Sequence, residues 1–371
     1  MSFFARTPFF KYYCAYRIVI LTIFKEIKQY MLSKTPTVAQ GKHLRILNEH
    51  YSLADCITLW GNSASIALLD PACKIFSRPT IPGIIGYRLE SKNIVVFGDP
   101  LCPPEHVADL TTAFHAEFAN KVNNIIYVAA SEAFTNWSLQ GLCKAAISFG
   151  HEVIIDPSND PRIGSGEKAA LLRRKCNQAA RQGVQIYEYT EYNAELEKAI
   201  EAVGQSWIKN RKGPQIYLQH VAIFADREHK RYFYAEQNGA IIGVLILNAI
   251  GIPKGWVLSF SMVPGDAPKG TSELILVNAF AVLGKQGCSF FSIGSVPSSE
   301  LSRIEGLGYV TTWFARHAYA VSKKIFHLDE ERQRYWKKFR PKKEATYLVF
   351  CKPKIGIGGV VGIMRALNAS V

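Results

Sequence analysis

The densest run of charge in this 371-residue chain lies between Arg332 and Lys343 (RQRYWKKFRPKK). Arg332, Arg334, Lys337, Lys338, Arg340, Lys342 and Lys343 make seven of its twelve residues basic, with no acid among them and with Tyr335, Trp336 and Phe339 interleaved. Cations alternating with flat rings suit a nucleic acid or an anionic lipid better than a plain solvated face. A second group, Arg173, Arg174, Lys175 and Arg181, sits on a predicted helix behind the Pro/Gly/Ser-rich stretch Pro161 to Gly166. Guanidinium forks there are placed to meet phosphates, although each one taken singly also fits a solvated helix face. A third group sets Trp207 beside Lys209, Arg211 and Lys212. A ring next to a basic cluster can stack a terminal adenine while its backbone is neutralised; the same tryptophan also reads as core.

The composition agrees with a polyanionic partner. A formal charge of +14 draws phosphates and anionic head groups alike, and equally serves solubility. At 48% hydrophobic and 20% charged residues the chain is globular rather than disordered. The eight cysteines are scattered without a close pair at metal or redox spacing, which fits a reducing compartment. The nine histidines form no ligand pair at helical spacing, so no metal is expected.

These groups need elements to hold them. The opening segment, Phe9 to Leu32, contains an uncharged run of only seven residues, Ile18 to Phe24, against the roughly 20 a membrane span requires. Lys25, Glu26 and Lys28 follow where a secretory signal would have small residues. Its apolar residues gather on one side of a helix, an amphipathic pattern that docks on a bilayer interface or on the protein itself. After a linker at Lys34 to Gln40, the sequence predicts strands at Asn93 to Phe97, Ile125 to Ala129 and Val153 to Asp156. Helices are predicted at about Glu105 to Lys121 and at Asn136 to Phe149. Further on come helices at Glu167 to Gln182, closed by Gly183, and at Ala194 to Asn210. A hairpin over Arg231 to Asn248 turns at Asn238-Gly239; a strand (Trp256 to Val263), a helix (Ser272 to Lys285) and a strand (Ser289 to Ile293) complete the series.

The class is therefore α/β, a mixed sheet flanked by helices. Hairpin, strand, helix, strand is the core order of the GNAT acyltransferase fold, which the back half resembles and the front half resembles less clearly. The expected organisation is an N-terminal helix and linker (1–40), a first GNAT-like domain (41–160), a second, catalytic one (161–352) and a tail (353–371).

An ordered set of motifs is more specific. Gly61-Asn62-Ser63, Gly86-Tyr87 and Gly98-Asp99-Pro100 come first; Leu172-Arg173-Arg174 follows, with Asn177, Arg181 and Gly183. Then come Ala267-Pro268-Lys269-Gly270-Thr271, Gly294 with Pro297 and Ser298, and Lys338-Phe339-Arg340-Pro341 with Tyr347. Over roughly residues 45 to 352 this succession resembles the cytosolic catalytic domain of phosphatidylglycerol lysyltransferases. The resemblance implies a tandem GNAT fold that passes an aminoacyl group from aminoacyl-tRNA, as co-substrate and without a cofactor, to a lipid hydroxyl at the inner face of the membrane. The many-helix membrane region of the full-length relatives has no counterpart here, which suggests a stand-alone, peripherally associated transferase. An Asp-Leu-Met-Arg run typical of the family is replaced by Phe260-Ser261-Met262-Val263, so lysine is not fixed as the transferred residue.

An aminoacyl ester is already activated, so such an enzyme chiefly aligns a hydroxyl, helps to remove its proton and stabilises an oxyanion. Glu273 and Asp266 are candidates for binding the donor's ammonium group or accepting a proton, and Glu273 alone also fits plain stabilisation of a helix N-terminus. Lys338 and Arg340 are candidates for holding a phosphate or the oxyanion. Gly270, Thr271 and Tyr347 belong to the motifs, and Arg173, Arg174, Arg181, Trp207, Lys209 and Arg211 would bind the substrate. Two rivals stand beside this reading: an acyl-CoA-dependent GNAT, disfavoured by the two prolines of Val263 to Gly270, and a non-catalytic module for RNA or membrane.

Overall fold

A computed structural model describes residues 51–210, 223–224, 227–251, 254–298, 300–325, 330–353 and 356–367. The amphipathic segment at 9–32, the linker and Arg211 lie outside the described residues. The front half contains α1 (Leu53–Trp60), β1 (Lys74–Arg78), β2 (Ile81–Glu90), β3 (Asn93–Phe97), α2 (Val107–Phe118), β4 (Asn124–Ala130), α3 (Glu132–Ser138) and β5 (Ala145–Ile155). The back half begins with α4 (Glu167–Arg181), β6 (Gln185–Tyr189), α5 (Ala194–Asn210), β7 (Lys230–Gln237), β8 (Ala240–Gly251) and β9 (Lys254–Met262). It continues with α6 (Thr271–Lys285), β10 (Phe291–Pro297), β11 (Ile304–Glu305), α7 (Tyr309–Ile325), α8 (Glu330–Lys337), β12 (Lys342–Phe350) and α9 (Ile357–Ala366).

All of the strands among the described residues join one mixed sheet in the order β1-β2-β3-β4-β12-β5-β10-β9-β8-β7-β6, with β11 on β5. The expected α/β class and the GNAT-like series β7-β8-β9-α6-β10 are both present. The C-terminal strand β12 inserts between β4 and β5, antiparallel to both. The last strand in sequence thus lies among the strands of the front half.

Strand alternation fills both sides of the sheet. Tyr232 enters a cluster with Ile200 of α5 and Met262, while its neighbour Phe233 enters another with Leu172 of α4 and Phe280 of α6. The hairpin turns where the sequence places it, with Asn238 and Gly239 both at positive φ (51° and 79°), as a two-residue type I′ turn demands. Gly183 closes α4 at φ 81°.

One expectation fails. The predicted helix Asn136 to Phe149 is instead the end of α3 followed by the long strand β5. Ala145 to Ser148 are buried throughout, since β5 is sandwiched between β12 and β10. A continuous apolar run carries no period that separates a central strand from a buried helix. The strands β1 and β2, which sequence reading did not mark, complete the front edge of the sheet.

Candidate active site

The back half opens where β9 and β10 part. These parallel strands pair only at Trp256–Phe291 and Val257–Ser292. Beyond that point β9 continues on β8, and β10 turns onto β5 with an irregularity between Ser292 and Ser295, where Gly294 has φ 83°. In open α/β sheets, a crevice where neighbouring strands diverge is a place where ligands bind.

Helix α6 starts just past the end of β9. Gly270 precedes it at φ 98°, and a Cβ there would lie 2.1 Å from the backbone oxygen of Lys175. Only glycine permits this approach of α4 to the start of α6. Thr271 is fully buried and donates its hydroxyl to the Pro268 carbonyl at 2.7 Å, so its motif role is to fix the turn. The amides of Ala267 and Thr271 are likewise bound, to the carbonyls of Pro264 and Pro268. These amides are therefore not free to cradle a pyrophosphate, as an acyl-CoA loop would require.

Glu273, in the first turn of α6, forms an ion pair with Lys338, which follows α8. Both side chains are buried, at 6% and 8% residue exposure. The other Glu273 oxygen accepts from Ser272 at 2.9 Å. The Lys338 ammonium also stands 3.8 Å from the centroid of the Tyr335 ring, a cation–π contact. Burial pushes the Glu273 carboxyl up, but the hydrogen bond and charge of Lys338 outweigh it and leave Glu273 below the ordinary carboxylate range. A buried charge pair costs desolvation, and a half-broken pair costs far more, so the two groups hold one another in place. The sequence singled out both residues without the means to join positions 65 apart.

The remaining candidates divide. Arg173 donates to the carbonyls of Arg162 and Gly164, and Arg340 to that of Asp160 at 3.1 Å. Both arginines therefore pin the 160–164 loop. Arg174, Arg181 and Lys209 are exposed, as is Asp266 in the turn before α6. Trp207 is half-buried against the cluster of Ile200 and Met262, so it packs rather than offering a free ring. Trp336 and Phe339 also correct the expectation of a stacking surface, because both are buried against Phe280 and Phe291. Tyr347 is buried on another part of the sheet, where its hydroxyl reaches Glu132 at 3.3 Å and Arg303 lies 5.5 Å from its ring. It does not join the Glu273 pair through any contact given by the structure.

A cleft of about 110 Å³ opens beside β10 and β5, lined by His151, Val153, Pro297, Ser298, Lys337 and Lys343 among others. His151 Nδ1 lies 2.8 Å from the Ser298 hydroxyl. Burial, and then the Lys343 charge, hold the imidazole below its ordinary pKa. Sequence reading marked Pro297 and Ser298 as motif residues but passed over His151. No spacing signal connects His151 to a serine 147 positions later.

In the front half, three motif residues have capping or packing contacts. Asn62 caps the short helical turn that follows it by accepting from Ala64 at 3.0 Å, and a Cβ on Gly86 would meet Leu68 at 2.3 Å. Asp99 accepts from the Ser131 amide at 2.9 Å and ties the ends of β3 and β4 together.

Known proteins place this geometry. Residues 61–350 match the family model "Phosphatidylglycerol lysyltransferase, C-terminal". The structure of L-PGS from Bacillus licheniformis is similar with a TM-score of 0.67 at 17% identity, over 88% of this chain and 98% of that one. The C-terminal domain of a protein described as a lysylphosphatidylglycerol synthetase from Agrobacterium fabrum gives 0.66 at 17% identity, over 85% and 94%. A conserved protein of unknown function from Bacteroides thetaiotaomicron gives 0.58 at 11% identity, over 82% and 99%. No curated protein matches the chain. At these identities the structures speak for a shared fold, whereas the family model spans most of the chain. The chain belongs to the family of the phosphatidylglycerol lysyltransferase C-terminal domain.

Proposed function

We propose that this protein transfers an aminoacyl group from aminoacyl-tRNA to the hydroxyl of an anionic, phosphatidylglycerol-like lipid, giving an aminoacylated lipid at the cytosolic membrane face. The observation that carries this reading is the buried Glu273–Lys338 pair at the start of α6, the helix that follows β9 in the chain. In the transfer, the acceptor oxygen bonds to the ester carbonyl carbon and the ester bond to the terminal ribose breaks. The proton of the acceptor hydroxyl passes to the ribose oxygen that leaves. Glu273 is suited to relay that proton and Lys338 to stabilise the oxyanion, because each is already oriented and desolvated by the other. Asp266, exposed in the preceding turn, is suited to meet the donor's ammonium group. Arg174 and Arg181 offer exposed guanidinium groups for tRNA phosphates, while Arg173 and Arg340 hold the 160–164 loop.

The cleft at His151 and Ser298 has Lys337 and Lys343 at its wall, which suits a lipid phosphate. Among the described residues no helix is long and apolar enough to cross a membrane, so the lipid would be met from the surface. Incubating the protein with tRNA charged with labelled amino acids and with phosphatidylglycerol vesicles should give a ribonuclease-sensitive labelled lipid. Tight acyl-CoA binding with no lipid product would overturn the proposal, and transfer to peptide amines would redirect it to a different acceptor.

A further inference from the structure

On the front half, far from the Glu273 pair in sequence, three side chains of metal-binding type converge. His115 of α2, Cys143 just before β5 and Cys351 just after β12 bring their ligand atoms within 4.8 Å of one another. The two Sγ atoms are 3.4 Å apart, and the Cys351 sulfur lies 3.7 and 3.9 Å from the two nitrogens of His115. A tetrahedral zinc, with bonds near 2.3 Å to sulfur and 2.0–2.1 Å to nitrogen, would set its ligand atoms roughly 3.5–3.8 Å apart. A disulfide would instead need the sulfurs to close to about 2.05 Å. The spacing is thus nearer to that of ligands around a shared ion.

The surroundings support the same assignment. His115 Nε2 lies 2.9 Å from the hydroxyl of the fully buried Tyr127, whose ring centroid is 6.0 Å from that of the imidazole at an interplanar angle of 27°. A ligating histidine characteristically donates its other N–H to an outer partner that fixes the ring, and Tyr127 is placed to accept from Nε2. The Cys351 sulfur lies 3.9 Å from Nδ1 and 3.7 Å from Nε2, so ion binding would require the ring to turn until Nδ1 faces the sulfurs. Cys143 is buried, while Cys351 and His115 are half-buried, so the cluster is not wholly closed off from solvent. The sequence hid this site because its three members are 28 and 208 residues apart, outside any short ligand motif. The expectation of no metal rested on such motifs alone.

We infer that His115, Cys143 and Cys351 form a binding site for a soft or borderline divalent cation, zinc by chemistry, with water in the fourth position. Each thiol loses its proton on binding, so the bound ion carries two thiolates and a neutral imidazole. The ion clasps α2, the start of β5 and the end of β12, which locks the C-terminal strand into the front half. The inference does not depend on the proposed aminoacyl transfer.

Cobalt(II) added to the full-length, reduced, metal-stripped protein tests it. The expected result is one cobalt per chain, with a thiolate charge-transfer band and the intense d–d bands of a tetrahedral site, displaced by one equivalent of zinc. Cys351→Ser should lose the charge-transfer intensity, and Cys288→Ser, which changes a half-buried thiol elsewhere, should keep it. Zinc should also raise the melting temperature of the wild-type chain, a readout that does not need the cysteine variants to fold. An absent cobalt band, a band unaltered in a folded Cys351→Ser variant, or a Cys143–Cys351 disulfide recovered from protein purified under reducing conditions would each overturn the inference.

Discussion

The two halves of the sheet each contain a parallel strand pair, and they differ in how long the partners stay together. In the front half β3 and β4 hold register from Asn93–Asn124 through Phe97–Val128. In the back half β9 and β10 share only two residue pairs before parting. The closed pair ends in a seal, with Asp99 accepting from Ser131, whereas the first strand of the open pair leads through a short loop into α6, whose first turn carries Glu273 of the ion pair. Both halves follow related element orders, yet the back-half pair parts after two residue pairs while the front-half pair stays in register over five. Divergence, rather than element order, is what separates a candidate catalytic half from a supporting one.

The sharpest way to break this comparison is to unpair the back-half charges. Lys338→Met should destabilise the protein by about 3–5 kcal/mol in urea denaturation, because it strands a buried carboxylate, and should abolish aminoacyl-lipid formation. The double change Lys338→Met/Glu273→Leu should recover most of that stability without recovering transfer. Recovery of both would sink the catalytic role of the pair.

Glycine substitutions probe the same contrast at the level of packing. Gly270→Ala should cost about 3 kcal/mol, since it combines a left-handed backbone with a clash against rigid α4 backbone. Gly86→Ala in the front half has the Leu68 side chain, rather than backbone, as its nearest obstacle and should cost about 1–2 kcal/mol. Equal losses would show that the approach at Gly270 is not specially constrained.

The two acids should also respond to pH in opposite directions. Burial raises the Asp99 carboxyl above its ordinary value of 3.8 despite the Ser131 bonds, with the Glu152 charge adding to the rise. Its ionisation therefore opposes folding: the cost is absent below that ordinary value and develops as pH rises through the folded one. The depressed carboxyl of Glu273 does the reverse, adding stability that is full above its ordinary 4.5 and lost as pH falls through its folded value. Asp99→Asn should accordingly add about 1 kcal/mol at neutral pH, with the gain fading in acid, as followed by denaturation midpoints across the acidic range.

The smallest expected effect concerns the basic rim. Arg174→Ala should weaken tRNA binding and lower the slope of log affinity against log salt by roughly 0.7–0.9, the loss of one phosphate contact. Arg78→Ala in the front half, where the arginine is paired with Glu117 at 2.8 Å, should leave that slope unchanged. A filter-binding titration over salt concentration distinguishes the two.

What the sequence by itself determined is local. The Asn238-Gly239 hairpin, the Gly183 stop and the amphipathic helices α4 and α5 follow from backbone conformations and periods that neighbouring residues impose on one another. The motif succession also drew attention to Lys338, Gly270 and Thr271, and Glu273 is a candidate from its acidic side chain in the turn that follows Gly270. Only the tertiary structure decided that Glu273 and Lys338 share one buried pair, that Trp336 and Phe339 face the core, and that Tyr347 serves a different part of the sheet. It also decided that β5 is a strand, because the burial that makes it one comes from β12, nearly two hundred residues away in sequence. Insertion of β12 into the front half sets Cys351 beside Cys143 and His115 and gives the sheet its single order. Such arrangements depend on which distant surfaces bury one another, and no window of local sequence records that choice.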